Sequence, residues 1–159
     1  MQETLTKLAA DGLLIVIVLA GGGAGLWYLL RSQQFVHRVP YIVMAGLTSL
    51  LAGKLISLFY QPNAVRPYIE QGVAAGAAYI NNPGFPSDHA LLATVLVLMV
   101  LLCTPYRKLA GALAVLVVIM SAARVIALVH TPLDVIGGIL MGGTGALWYR
   151  RMRSPRSDQ

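Results

Sequence analysis

Charge is scarce in this chain. Only 11% of its 159 residues are Asp, Glu, Lys or Arg, while 57% are hydrophobic. A soluble domain carries about 25% charged and about 45–50% apolar residues, so a water-soluble monomer is close to excluded. Acids are scarcest: 6 Asp and Glu stand against 12 Lys and Arg, a net charge of +6. That excess comes from few acids rather than many bases, so a basic nucleic-acid-binding domain is not expected. The single cysteine, Cys103, lies in an apolar run, which excludes a disulfide framework and a cysteine metal site. Low-complexity linkers and internal repeats are lacking as well. What the chain has in quantity is apolar sequence, with a mean hydropathy of +0.72. Its length suits one domain. The expected fold class is all-α, an integral membrane helical bundle over residues 1–159.

A spanning helix needs about 20 mostly apolar residues, because the hydrocarbon is about 30 Å thick and a helix rises about 1.5 Å per residue. Five stretches meet or approach this, near 13–30, 41–60, 89–104, 109–129 and 132–149, so about five transmembrane helices are expected. The first lacks a clear basic leader and a cleavage site, and more spans follow; it is read as a retained helix, not a signal peptide. Trp27, Tyr28, Tyr41, Tyr60, Trp148 and Tyr149 fall near span ends, where aromatic rings favour the headgroup level. The one long connection, 61–87, holds Pro62, Pro67 and an Asn81-Asn82-Pro83-Gly84 turn signal; long loops are often functional. Its Gly- and Ala-rich run, 72–78, suggests a short interfacial helix. Lys and Arg collect in cytoplasmic loops. Arg150, Arg151, Arg153 and Arg156 therefore place the C-terminus in the cytoplasm. Alternation then puts Arg31, Arg38, Arg107 and Lys108 inside, and the 61–87 connection and His130 outside.

A charge within a membrane helix costs several kcal/mol and marks a functional site by default. Lys54, Arg124 and Asp134 are such charges. Together with Arg66, Ser87, Asp88, His89 and His130, all fall at the expected outer ends of the spans. The chemistry is coherent. Three cations can neutralise a phosphate and the charge that develops during its transfer. Two histidines suit a nucleophile and a general acid near neutral pH. Asp134 follows His130 by four residues, so on a helix the carboxylate shares the imidazole's face and can fix its tautomer. Ser87-Asp88-His89 opens a helix, where free N–H groups attract anions. Asp88 also reads as a helix cap, because a carboxylate repels phosphate. Ser87 divides evenly between cap and phosphate ligand, and Lys54 can instead snorkel to the headgroups.

Arg66-Pro67, then Phe85-Pro86-Ser87-Asp88-His89, then Arg124-x5-His130-x3-Asp134 together resemble the signature of the type-2 phosphatidic acid phosphatase superfamily. The resemblance covers roughly residues 54–134. It implies that His130 is the nucleophile that forms a phosphohistidine, that Asp134 orients it, and that His89 protonates the leaving group. It implies phosphate binding by Arg124, Arg66, Lys54, Ser87 and the backbone at Asp88, with no metal and no cofactor. Asp88 stands where the family usually has Gly, a variant similar to the branch acting on undecaprenyl pyrophosphate. Ala123 replaces the Ser that precedes the arginine. Lys54 lies farther from Arg66 than the family's lysine does; either 61–65 is an insertion or the equivalent lysine is another residue.

The resemblance thus implies a lipid phosphatase at the outer face of a bacterial inner membrane, with undecaprenyl pyrophosphate the first choice of substrate. Phosphatidic acid or phosphatidylglycerophosphate is the alternative. A non-catalytic lipid-phosphate binder is the rival of another class; binding alone needs the cations, not two histidines and an orienting carboxylate.

Overall fold

The apolar runs become helices, and one long connection joins them. In the computed structural model, residues 2–62, 65–82 and 84–153 are described; Pro83 of the turn signal and Arg156 of the basic tail lie outside them. The helices are α1 (Glu3–Arg31), α2 (Phe35–Phe59), a one-turn α3 (Pro67–Glu70), α4 (Asp88–Cys103), α5 (Arg107–Ile126), α6 (Pro132–Gly143) and α7 (Ala146–Arg153). No strand occurs among the described residues. Among the described residues three helices, α1, α2 and α5, are long and apolar enough to cross a membrane. The chain is a helical membrane protein.

Several boundaries differ from expectation. The first helix begins ten residues earlier than 13 and contains two π-helical turns, Leu8–Gly12 and Val18–Gly22. The 72–78 run is not helical; the only helix of the long connection's described residues is α3, started by Pro67 at its first position. The last expected span is broken at Thr144–Gly145. Ser49 of α2 bridges the break. Its hydroxyl donates to the Gly142 carbonyl at 3.2 Å and accepts from the Gly145 N–H at 3.1 Å. Tyr149, near the end of the last expected span, is fully buried against the core, its hydroxyl donating to the Val95 carbonyl at 3.4 Å.

In a membrane, helices associate through close van der Waals contact rather than through water exclusion, so small residues mark the seams. The tightest seam joins α4 to α6. A Cβ on Gly138 would overlap the carbonyl oxygen of Ser87, and one on Gly142 would stand 2.6 Å from that of Leu91. Backbone cannot yield as a flexible side chain can. Gly138→Ala is therefore expected to lower stability by about 2 kcal/mol or more, within or above the usual range for overpacking. Gly111→Ala, at an α5 position with nothing within 4 Å, should be neutral or stabilising. Thermal melting of both variants in detergent measures the difference.

The helices alternate in direction. The start of α1, the end of α2, the long connection, the start of α4, the end of α5 and the start of α6 gather at one end of the bundle. The other end holds Arg31, Arg38, Arg107, Lys108, Arg150 and Arg151. A larger groove of about 820 Å³ opens there beside Trp27, Tyr106, Arg107 and Lys108. Its lining contains no histidine or acid, whereas the histidines and acids expected at the site lie at the first end.

Candidate active site

His130 is placed by a strained turn. Between α5 and α6 the chain passes through Leu128 at φ 58°, a left-handed conformation that side chains other than glycine, Asn and Asp rarely adopt. The long connection clamps this turn. Tyr68 N–H donates to the Leu128 carbonyl and Gly76 N–H to that of Ala127, each at 3.0 Å. Strained backbone persists where its surroundings over-determine it, and such places cluster at functional sites.

The next helix starts on a capping box. The Thr131 hydroxyl accepts from the Asp134 N–H at 3.3 Å, and the Asp134 Oδ2 accepts from the Thr131 N–H at 2.7 Å. With Pro132 at the first helical position, sequence and local structure agree. The same carboxylate oxygen lies 3.6 Å from His130 Nδ1. Both side chains are about 5% exposed. Facing Nδ1 toward an acid leaves Nε2 as the nitrogen with a free lone pair. Burial pushes the His130 imidazole below its ordinary pKa, and the Arg124 cation adds to that; Asp134 acts in the opposite direction.

His130 opens into a cavity of about 150 Å³ together with His89, Asp88, Arg66 and Arg124. His89 is the second residue of α4. The position of α4 is tied directly to that of α6: Ser87 N–H donates to the Asp134 carbonyl at 2.9 Å. Ser87 is the N-cap residue, although its side chain makes no capping bond. Its hydroxyl is fully buried and has no hydrogen-bond partner. Asp88 therefore sits inside the helix as its first residue, not as its cap.

The two arginines are fixed differently. Arg66 is 5% exposed, and its guanidinium donates to carbonyl oxygens of Ile80, Asn82 and Val129 and to the Asn82 side chain. Gly84, at φ 108°, lets the chain pass close by; a Cβ there would lie 3.6 Å from Arg66 Cζ and 3.7 Å from Asp134 Oδ2. Burial pushes the Arg66 pKa down, yet a guanidinium remains charged. Arg124 is 1% exposed. Its Nη1 meets Asp11 Oδ1 at 3.0 Å and its Nη2 donates to the Ala78 carbonyl at 2.9 Å. Its Nε is buried with no hydrogen-bond partner.

Of the eight residues expected at the site, five line the cavity and Asp134 backs one of them. Ser87 lies buried beneath the start of α4. Lys54 does not line the cavity: it is 61% exposed at the rim, its Nζ 3.5 Å from Asp88 Oδ1. Asp11, Asn82 and Tyr79 were not expected. Asp11 comes from a π-helical turn of α1, and Tyr79 and Asn82 line the cavity from the long connection. Among the described residues, no three His, Cys, Asp or Glu side chains converge as a metal-ligand set.

Comparison with known proteins shows the family to which the chain belongs. The family profile described as the PAP2 superfamily matches residues 36–158. A protein of Escherichia coli (strain K12), provisionally named undecaprenyl-diphosphatase YbjG, is 30% identical over 145 residues, covering 91% of this chain and 70% of that protein. The bacitracin transport permease protein BcrC of Bacillus licheniformis is 30% identical over 129 residues, 79% of this chain and 61% of that one. No solved structure matches.

Proposed function

Because the chain belongs to the PAP2 superfamily, a membrane phosphatase and hydrolase of phosphoric esters, we propose that it dephosphorylates a lipid pyrophosphate through a phosphohistidine on His130. The observation that carries this reading is the His130–Asp134 pair, buried at the wall of a cavity that also holds His89 and two buried arginines. Binding alone would need only the cations.

The reaction is a double displacement. The Nε2 of His130 attacks the terminal phosphorus, and the bond from phosphorus to the bridging oxygen breaks. His89 gives a proton to that oxygen, so the lipid leaves as its monophosphate. Water then attacks the phosphohistidine and His89 takes a proton from it. The N–P bond breaks and inorganic phosphate departs. Arg66 and Arg124 hold the non-bridging oxygens through both steps, where fixed cations in a water-poor site stabilise developing charge. The N–H groups at the start of α4 add donors. Lys54, at the rim beside Asp88, is placed to meet a phosphate as it arrives or leaves.

Undecaprenyl pyrophosphate is the substrate we propose first. The Pro-Ser-Asp-His sequence at 86–89 and the name of the Escherichia coli relative support it. The positive-inside rule supports an outer-face site, since the basic residues of the opposite end mark the cytoplasmic side of a bacterial inner membrane.

The test is a panel. Phosphate release by the purified protein is measured with undecaprenyl pyrophosphate, phosphatidic acid and phosphatidylglycerophosphate, with and without a chelator. The pyrophosphate is expected to give the highest kcat/KM, unaffected by chelation. Preference for phosphatidic acid would redirect the substrate assignment. Release from none of the three would leave a lipid-phosphate binder as the better reading.

A further inference from the structure

Asp11 closes a ring with the phosphate-binding arginine. Its Oδ1 lies 3.0 Å from Arg124 Nη1, Arg124 Nη2 donates to the Ala78 carbonyl at 2.9 Å, and the Ala78 N–H donates back to Asp11 Oδ2 at 3.0 Å. Three separate elements meet there: α1, α5 and the long connection. The first of them lies upstream of residues 36–158, which the family profile matches. We infer that Asp11 is a positioning residue for catalysis, which fixes the Arg124 guanidinium and the Ala78 backbone where both line the cavity. This inference rests on the phosphatase reading for its consequence in turnover, but not for its consequence in anion binding.

The physical basis is the geometry of the fork. A guanidinium has five N–H donors in one plane. In Arg124, Asp11 and Ala78 hold the two terminal nitrogens, and the buried Nε has no hydrogen-bond partner. Holding both terminal nitrogens fixes the plane of the group where Arg124 lines the cavity. Arg124 is almost fully enclosed and Asp11 about three-quarters so; removing one member of such a pair leaves a charge without its partner. The π-helical turn Leu8–Gly12 carries Asp11, and such turns in α-helices are frequent at functional sites.

Asp11 also sets the balance of charge. Its carboxylate opposes any anion that approaches Arg124, so it weakens ground-state phosphate binding while it sharpens the geometry needed in the transition state. The two effects separate in two variants. Asp11→Asn removes the charge and opens the ring, because an amide NH2 cannot accept the second hydrogen bond. Asp11→Glu keeps the charge but displaces it.

The experiment measures three quantities in detergent for wild type and both variants: kcat on the lipid substrate, affinity for inorganic phosphate by direct titration, and melting temperature. Asp11→Asn should lower kcat by about 10-fold or more and tighten phosphate binding by about 3-fold or more. Asp11→Glu should lower kcat while leaving phosphate affinity within about 2-fold of wild type. A structural role alone would instead lower the melting temperature and weaken phosphate binding in step with it. Unchanged kcat together with unchanged phosphate affinity in Asp11→Asn would overturn the inference. If wild type turned over no lipid phosphate, the phosphatase reading would fail, and the phosphate titration would still decide whether Asp11 acts on Arg124.

Discussion

His130→Ala should reduce phosphate release by about 10⁴-fold or more, the scale on which loss of an enzymic nucleophile acts. The variant removes the one side chain that pairs with Asp134 inside the cavity. Both buried arginines remain, held by contacts made with Asp11, Asn82 and backbone carbonyls rather than with the imidazole. Inorganic phosphate should therefore still bind, and binding and turnover separate cleanly. A second readout tests the intermediate itself. Wild type mixed with labelled substrate and denatured rapidly in base should retain a label that acid removes, as expected of a phosphorus–nitrogen bond. His130→Ala should retain none. Equal release by the two proteins would end the nucleophile assignment.

Asp134→Asn should lower kcat by about 10³- to 10⁴-fold, by the reasoning that applies wherever an acid orients a catalytic imidazole. The substitution is a sharp one here because the carboxylate has two tasks. It accepts from the Thr131 N–H at the start of α6, and it faces His130 Nδ1. An amide oxygen can still do the first, so the helix start and the melting temperature should change little. It supplies no charge for the second. The pH profile adds a signed test. Neutral imidazole is the attacking form, so activity falls as pH drops through the His130 pKa. Burial holds that pKa below the ordinary 6.5, while Asp134 holds it up against burial. The acidic limb of kcat/KM should therefore lie below pH 6.5 in wild type and move lower still in Asp134→Asn. A limb that moved up would contradict the contact.

Much of this was legible in the sequence because its signals are local. A hydrophobic run declares a helix without reference to the rest of the chain. The i, i+4 spacing of His130 and Asp134 predicts that they meet, and they do, although His130 stands in the turn before the helix rather than on its face. Thr131-Pro132-x-Asp134 likewise announces a helix start. Asp11 was not legible for the opposite reason: its partner lies 113 residues away, and no spacing rule spans that distance. A faint signal existed, since it is an acid just before an apolar stretch, at the span end that alternation puts on the same side as the expected site charges. The supports of Arg66 were hidden more deeply, because they are mainly backbone carbonyls of Ile80, Asn82 and Val129, and every residue carries one. Tyr149 misled because an aromatic residue near a span end usually marks the interface; here the break at Thr144–Gly145 turns the last helix so that the ring enters the core. Lys54 is a charge in an apolar helix, which reads as a ligand, but its length lets it reach the rim and meet Asp88.

The backbone bond from Ser87 N–H to the Asp134 carbonyl has a consequence for the timing of catalysis. The residues near it in sequence and space include His89 and His130, the proton donor and nucleophile we propose, and glycines at 138 and 142 let the same two helices press together. Acid and nucleophile are thus aligned when the protein folds, once, rather than at each encounter with a lipid. The ordering entropy of that alignment is met before substrate arrives, and a bound phosphate meets two reacting groups already at their stations.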